Sequence, residues 1–182
     1  MDSLPHPRIY NVFEMPPPEC FDKAYSCFIT GHRDFYPTAE ARSLLSNQLD
    51  DMIKYGIDHF YIGGAKGFDT LAEMMICARK YENPKIKLSL ALPFPGYTHK
   101  EDEKLRAQFE VITRLADEIF YVCPKFSKES YQKRNEFMAD RCDFCICWLE
   151  KQSGGTVNAV AYARRRGLRI FNLADNQVKL EI

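Results

Sequence analysis

Four short stretches carry most of the side chains and backbone groups with chemistry to offer: "GHRDF" from Gly31, "GGAKGFDTLAE" from Gly63, "YQKRNEF" from Tyr131 and "SGGTVNA" from Ser153. Two of them are glycine-rich and sit between an apolar run and a segment of helical periodicity. A turn of that kind leaves the first helical N–H groups unbonded, and the helix dipole adds about half a positive charge there. Gly154 and Gly155 would let an anion reach the backbone, and the Ser153 and Thr156 hydroxyls would add donors. The plain alternative is a tight turn capped by Ser153 or Thr156. A second such turn, Gly63, Gly64, Ala65 and Gly67 with Lys66 available to meet a phosphate, favours the anion reading for the pair. Neither turn ends in Gly-Lys-Ser/Thr or matches the dinucleotide fingerprint, so ATPase and hydride-transfer chemistry are disfavoured.

Acids and bases are scarcer than donors. Asp69 and Glu73 fall in the first turns of the helix after the first glycine loop, where Thr70 and Glu73 have capping-box spacing. The dipole there would keep both carboxylates ionised, which suits a base or a ribose-hydroxyl acceptor. His32 is the nearby side chain whose ordinary pKa lies close to neutrality, although a histidine after a strand also bonds backbone groups. Arg134 and Asn135 share an apolar helical face with Tyr131, Met138 and Cys142 and need partners if buried. They would either hold a phosphate or ribose hydroxyl, or pair with Asp140 or Asp143. The candidate catalytic set is therefore His32, Asp69, Glu73 and Arg134. The candidate binding set adds Gly31, Arg33, Pro93 of "PFPGY", Asn135 and the two glycine loops.

These residues need a frame that brings distant loops together. From Tyr25 the chain alternates short apolar runs with helical segments, the rhythm of β-α units. Strands are expected at 25–30, 58–62, 86–92, 118–123, 143–149 and 168–173, mostly apolar on both faces as buried parallel strands are. Leu45, Leu49, Met52 and Ile53 mark one helix ending at Gly56, and Leu105, Phe109, Ile112 and Ala116 another; residues 69–81 and 156–166 are shorter helices. The fold class is α/β: a single domain with a Rossmann-like, mostly parallel sheet flanked by helices, the first three strands in the order 3-2-1. All the marked turns then lie on the carboxyl edge. Residues 1–24, with "MPPPEC", read as an extended arm.

Composition narrows the partners. The 182 residues carry 25 basic and 25 acidic side chains, a formal net charge of zero, which offers no overall pull toward nucleic acid or an anionic membrane. No apolar run is long enough to span a bilayer, and the N-terminus lacks the features of a secretory signal, so a cytoplasmic location is expected. Seven cysteines, Cys20, Cys27, Cys77, Cys123, Cys142, Cys145 and Cys147, are read as reduced thiols. Cys145 and Cys147 face the same way on one strand with no histidine or second cysteine pair nearby, so core packing is favoured over a metal site, and no cofactor is expected.

The ordered set "ITGHR", "GGAKGFDTLAE", "ALPFPGY", "YQKRNEFMAD" and "SGGTVNAVAYA", from about Tyr25 to Asp175, resembles the YpsA-like branch of the SLOG superfamily, which groups Smf/DprA proteins with LOG phosphoribohydrolases. The resemblance implies that 25–182 is a Rossmann-like nucleotide-binding domain. It implies a pocket for a nucleotide or nucleotide-derived signal, such as an ADP-ribose relative or nucleoside phosphate, in a sensor or signal-binding protein. The LOG pattern, Pro-Gly-Gly-any-Gly-Thr-any-any-Glu, is matched only in part, since Ala159 stands where that pattern has its carboxylate. The alternatives are a hydrolase of an N-glycosidic or phosphoester bond in such a ligand, and an interaction protein whose glycine loops are structural. The expected partner is a nucleotide-derived small molecule rather than nucleic acid or membrane, with monomer and homo-oligomer both open.

Overall fold

The structure is a computed structural model that describes residues 6–17 and 22–175, so Cys20 and the remainder of the arm lie outside the described residues. Seven strands form one all-parallel sheet: β1 Arg8–Asn11, β2 Ser26–Gly31, β3 His59–Ile62, β4 Lys87–Leu92, β5 Glu118–Tyr121, β6 Phe144–Trp148 and β7 Arg169–Asn172. Their spatial order is β1-β5-β4-β3-β2-β6-β7. The expected 3-2-1 arrangement is present as β4-β3-β2, and the strand that takes the other side of β2 is β6, with Ile29 opposite Ile62 on one flank and Ile146 on the other. Strand order reverses at β2, which places a crevice above its carboxyl end.

Five helices cover the sheet: α1 Ala39–Tyr55, α2 Phe68–Glu82, α3 Glu103–Leu115, α4 Ser130–Ala139 and α5 Gly155–Arg165. Local signals set their ends. Thr38 caps α1 by accepting from the Ala41 amide at 3.1 Å, and Gly56 stops it in the left-handed conformation, φ 108°. Asp102 caps α3 through the Leu105 amide at 2.9 Å. Alternate strand residues feed two cores. Ile29, Phe60 and Leu90 pack with α1, α2 and α3, whereas Phe28, Tyr61, Cys145 and Cys147 pack with α4 and α5. Cys142, Cys145 and Cys147 are buried in this second core, where loss of hydration pushes the Cys142 thiol upward, and the Cys147 side chain together with burial does the same to Cys145. Alanines 159 and 163 let α5 lie close on the sheet.

The segment read as an extended arm contains β1, which pairs in parallel with β5 and forms the outermost strand of the sheet. A buried polar row runs beneath it across three strands. His59 Nε2 lies 2.7 Å from Ser89 Oγ, which donates to Glu118 Oε2 at 2.9 Å; Glu118 Oε1 accepts from Arg8 at 2.8 Å. Because the serine proton goes to the carboxylate, the imidazole is the donor to the serine. Burial holds His59 neutral, its pKa lowered to about 3. No helix among the described residues is long and apolar enough to cross a membrane.

Candidate functional site

A pocket of about 390 Å³ opens where the carboxyl ends of β2 and β6 meet the first turns of α2 and α5, with α4 as its remaining wall. Gly31, His32, Arg33, Ala65, Asp69, Arg134, Asn135 and Ser153 to Thr156, all singled out by type and spacing, line it together. Thr30, Tyr131 and Lys151 also line it. Lys66 lies in an adjoining cleft of about 450 Å³. Gly63, Gly64, Gly67, Glu73 and Pro93 line neither; Pro93 is buried, and its carbonyl accepts from the Cys123 amide at 3.0 Å, tying two loops together.

The two glycine turns do different work. At Gly63 the space a side chain would occupy is filled by the Arg134 guanidinium, which donates to the Gly63 carbonyl from 71 residues away. Gly31, Gly64 and Gly67 are likewise pressed against Phe68, against Leu92 and Phe109, and against the His32 and Arg33 carbonyls. The first turn therefore packs protein on protein. The Phe68 amide at the start of α2 already donates to the His32 carbonyl at 3.3 Å, and Ala65 N donates to Asp69 Oδ2 at 3.3 Å.

Among the described residues, chain neighbours aside, no atom lies within 4 Å of where a Cβ would stand on Gly154 or Gly155, and both glycines are exposed. Gly154 holds φ 111°, a conformation that favours glycine. The alternative of a turn capped by Ser153 or Thr156 is not realised, for no side chain among the described residues caps α5. The first helical bond runs from Asn158 N to Gly154 O at 3.2 Å, so the amides of Gly155, Thr156 and Val157 precede it. These are the orphan donors of a helix start.

Opposite them lies a buried charge cluster. Arg134, Asp69 and Glu73 are 5%, 3% and 1% exposed. Arg134 pairs with neither Asp140, which takes Arg166 and Tyr162, nor Asp143; its charge faces Asp69. Asp69 Oδ1, Glu73 Oε1 and Arg134 Nε are buried without a hydrogen-bond partner among the described residues. The capping-box role expected of Glu73 is not realised: the N-cap of α2 is Gly67, and the Thr70 hydroxyl donates to Ala65 O at 3.1 Å. The dipole expected to keep both acids ionised does not hold either at its ordinary pKa. Burial pushes the Asp69 carboxyl up to about 6 against the pull of Arg134 and two backbone amides, and pushes Glu73 well above the carboxylate range, with the Asp69 charge adding to the effect. A helix terminus contributes at most about 2 kcal/mol, whereas burying a charge costs several. Burial wins.

His32 has a structural task. Its Nε2 accepts from the amides of Glu150 and Lys151 at 3.1 and 3.2 Å, anchoring the loop that leads to Gly154, and burial with the nearby Lys151 charge lowers its pKa. Its lone pair is committed to those amides. Lys151 pairs in turn with Asp34. The Arg33 guanidinium lies 4.8 Å from the Tyr131 ring centre, and these two residues are walls of both the pocket and the adjoining cleft. That cleft was missed in the sequence, although "PFPGYTH" carried its signal by placing Phe94, Tyr97 and His99 within six residues. The arrangement as a whole offers anion donors at one end and a carboxylate acceptor of pKa near neutrality at the other.

Comparison with known proteins agrees with this architecture. The YpsA family model, described as "YspA SLOG family", matches residues 38–171. A UPF0398 protein of Staphylococcus epidermidis is 23% identical over 107 residues, and the match spans 58% of this chain and 57% of that protein. The SPbeta prophage-derived protein YoqJ of Bacillus subtilis is 29% identical over 123 residues, covering 58% of this chain and 69% of YoqJ. Among solved structures, DNA processing protein A from Helicobacter pylori superposes with a TM-score of 0.60 at 18% identity, over 82% of this chain and 65% of that one. That likeness is one of fold.

Proposed function

Because the chain belongs to the YpsA family of SLOG proteins, and because an uncapped helix start and Asp69, with one oxygen unpartnered among the described residues, line one pocket, we propose that it binds a nucleotide or nucleotide-derived ligand there. The ligand is a nucleoside phosphate or an ADP-ribose-like molecule, and the protein serves as a sensor or signal-binding protein of the cytoplasm. The observation that carries the reading is the open Gly154-Gly155 turn: no atom of the described residues beyond the chain neighbours fills the space where its side chains would stand, and the three amides behind it precede the first helical bond. A phosphate would receive those amides, with Ser153, Lys151 and Arg33 along the same wall. Asp69 Oδ1 would accept from a ribose hydroxyl, which repairs its missing bond.

The Helicobacter pylori DNA processing protein A binds single-stranded DNA. Zero formal net charge supports a small ligand over a polyanion for this chain. A panel of nucleoside monophosphates, ADP-ribose, ribose 5-phosphate and a single-stranded oligonucleotide, scored by thermal shift and calorimetry, tests the reading. The small phosphorylated ligands should bind. Gly155→Val, whose side chain enters open space and leaves the core untouched, should weaken them on the order of tenfold to a hundredfold by blocking charge-assisted bonds, with the fold intact. Full affinity in that variant, or silence across the panel, defeats the proposal. An oligonucleotide that binds tenfold tighter than every small ligand replaces it with DNA binding.

A hydrolase is the second reading, favoured by the Asp69 carboxyl near 6, where a general acid or base works at neutral pH. Incubation with the same ligands should give binding with little or no turnover. Release of free base or ribose phosphate at an enzyme-like rate, abolished by Asp69→Asn, would establish the hydrolase instead.

A further inference from the structure

The cleft beside the pocket differs from it in kind. About 450 Å³ in volume, it is walled by the side chains of Phe94, Tyr97, His99 and Tyr131, and it meets the pocket at Arg33 and Tyr131. Neighbouring rings meet nearly edge to face: Phe94 and Tyr97 at 5.9 Å, Tyr97 and His99 at 5.8 Å, Tyr97 and Tyr131 at 6.3 Å. In each edge-to-face pair one ring contributes its edge, so its own faces are not used by that contact. All four residues are half-buried. Phe126, 62% exposed, stands against both Phe94 and Tyr131 and continues the aromatic surface to the rim. Phe94 meets Tyr97, Phe126 and Tyr131 among the described aromatics and belongs to neither core. A half-exposed aromatic surface continuous with an anion pocket has the chemistry of a stacking platform.

We infer that this aromatic cleft receives the base of the ligand whose phosphate lies at the start of α5, so that the ligand class is the nucleoside phosphate and not a phosphorylated sugar alone. The inference rests on the proposed anion pocket and deepens it. Arg33, held over the Tyr131 ring where the two spaces join, stands beside the linking ribose phosphate. Stacking accepts any base, because every base has a π-face. The cleft therefore sets the class of the ligand rather than the identity of its base.

Calorimetry on the full chain with ribose 5-phosphate and with the adenosine, guanosine, cytidine and uridine monophosphates separates the two steps. The nucleotides should bind at least on the order of tenfold tighter than ribose 5-phosphate, the contribution expected of one stacked base. Phe94→Leu, which removes a ring outside both cores, should erase that advantage and leave ribose 5-phosphate unchanged, while Gly155→Val should weaken both classes. Quenching of a 2-aminopurine nucleoside monophosphate gives a direct stacking signature that Phe94→Leu should abolish. If ribose 5-phosphate matches the nucleotides, or if Phe94→Leu leaves the nucleotide advantage and the quenching intact, the base subsite is refuted and the anion pocket stands. If neither class binds, both readings fall.

Discussion

Asp69 and Glu73 sit one helical turn apart at the start of α2, and each has an oxygen buried with no partner among the described residues. Removing a carboxylate from water raises its pKa, and a second carboxylate raises it further. The linkage has a definite sign. A group whose pKa is higher in the folded protein holds more protons folded than unfolded, so stability falls as pH rises above the unfolded value. For Asp69 the window runs from 3.8 to about 6; for Glu73 it opens near 4.5 and extends upward. Glu73→Gln removes the titration without changing shape. Urea unfolding should find the variant gaining on the parent with rising pH from about 4.5, by at most about 1.4 kcal/mol per pH unit. Parallel curves would mean that Glu73 is ionised in the fold. The sequence offers these two acids in capping positions, and that spacing is legible. Their burial is not, because it involves the Arg134 side chain, which arrives from α4 much later in the chain.

Helix starts show the same limit at the next scale. "GGAKG" and "SGGT" look alike as strand-to-helix turns, and both were read as phosphate cradles. The first is occupied by Arg134 and by the His32 and Arg33 carbonyls, while the second faces open space. Nothing within either loop distinguishes them; the difference comes from what the tertiary fold lays against each. His32, similarly, was weighed as an acid-base group, and it anchors a loop 118 residues away. The open α5 start makes occupancy measurable. A bound phosphate would act as the missing cap, so amide hydrogen exchange at Gly155, Thr156 and Val157 should slow on the order of tenfold or more when a nucleoside monophosphate is added. The Phe68 amide of α2, already bonded to His32, should not change. Equal protection at both helix starts would place the phosphate elsewhere.

For the whole molecule, the six apolar strands β2 to β7 and the helices between them are legible because their burial is written in hydrophobic runs and periodicity. β1 is not. Its four residues are exposed or half-buried, prolines stand close on either side, and its partner β5 lies 110 residues away. Yet β1 supplies the cation for Glu118, whose side chain is 0% exposed, and Tyr10 stacks on Phe120 with ring centres 5.0 Å apart. Arg8→Ala should cost on the order of 1 kcal/mol in denaturant unfolding, since the arginine end of the pair is 60% exposed and solvent-screened. An unchanged midpoint would mean that Glu118 is neutral in the fold. The same strand has a consequence beyond the single chain. Removing residues 1–12 would strip β5 of its neighbour, leaving the backbone of "EIFY" and the face of Phe120 as a template on which another polypeptide can add a strand. The first strand thus takes the outermost place itself, four residues beside Pro7, and shields the backbone of β5 and the face of Phe120.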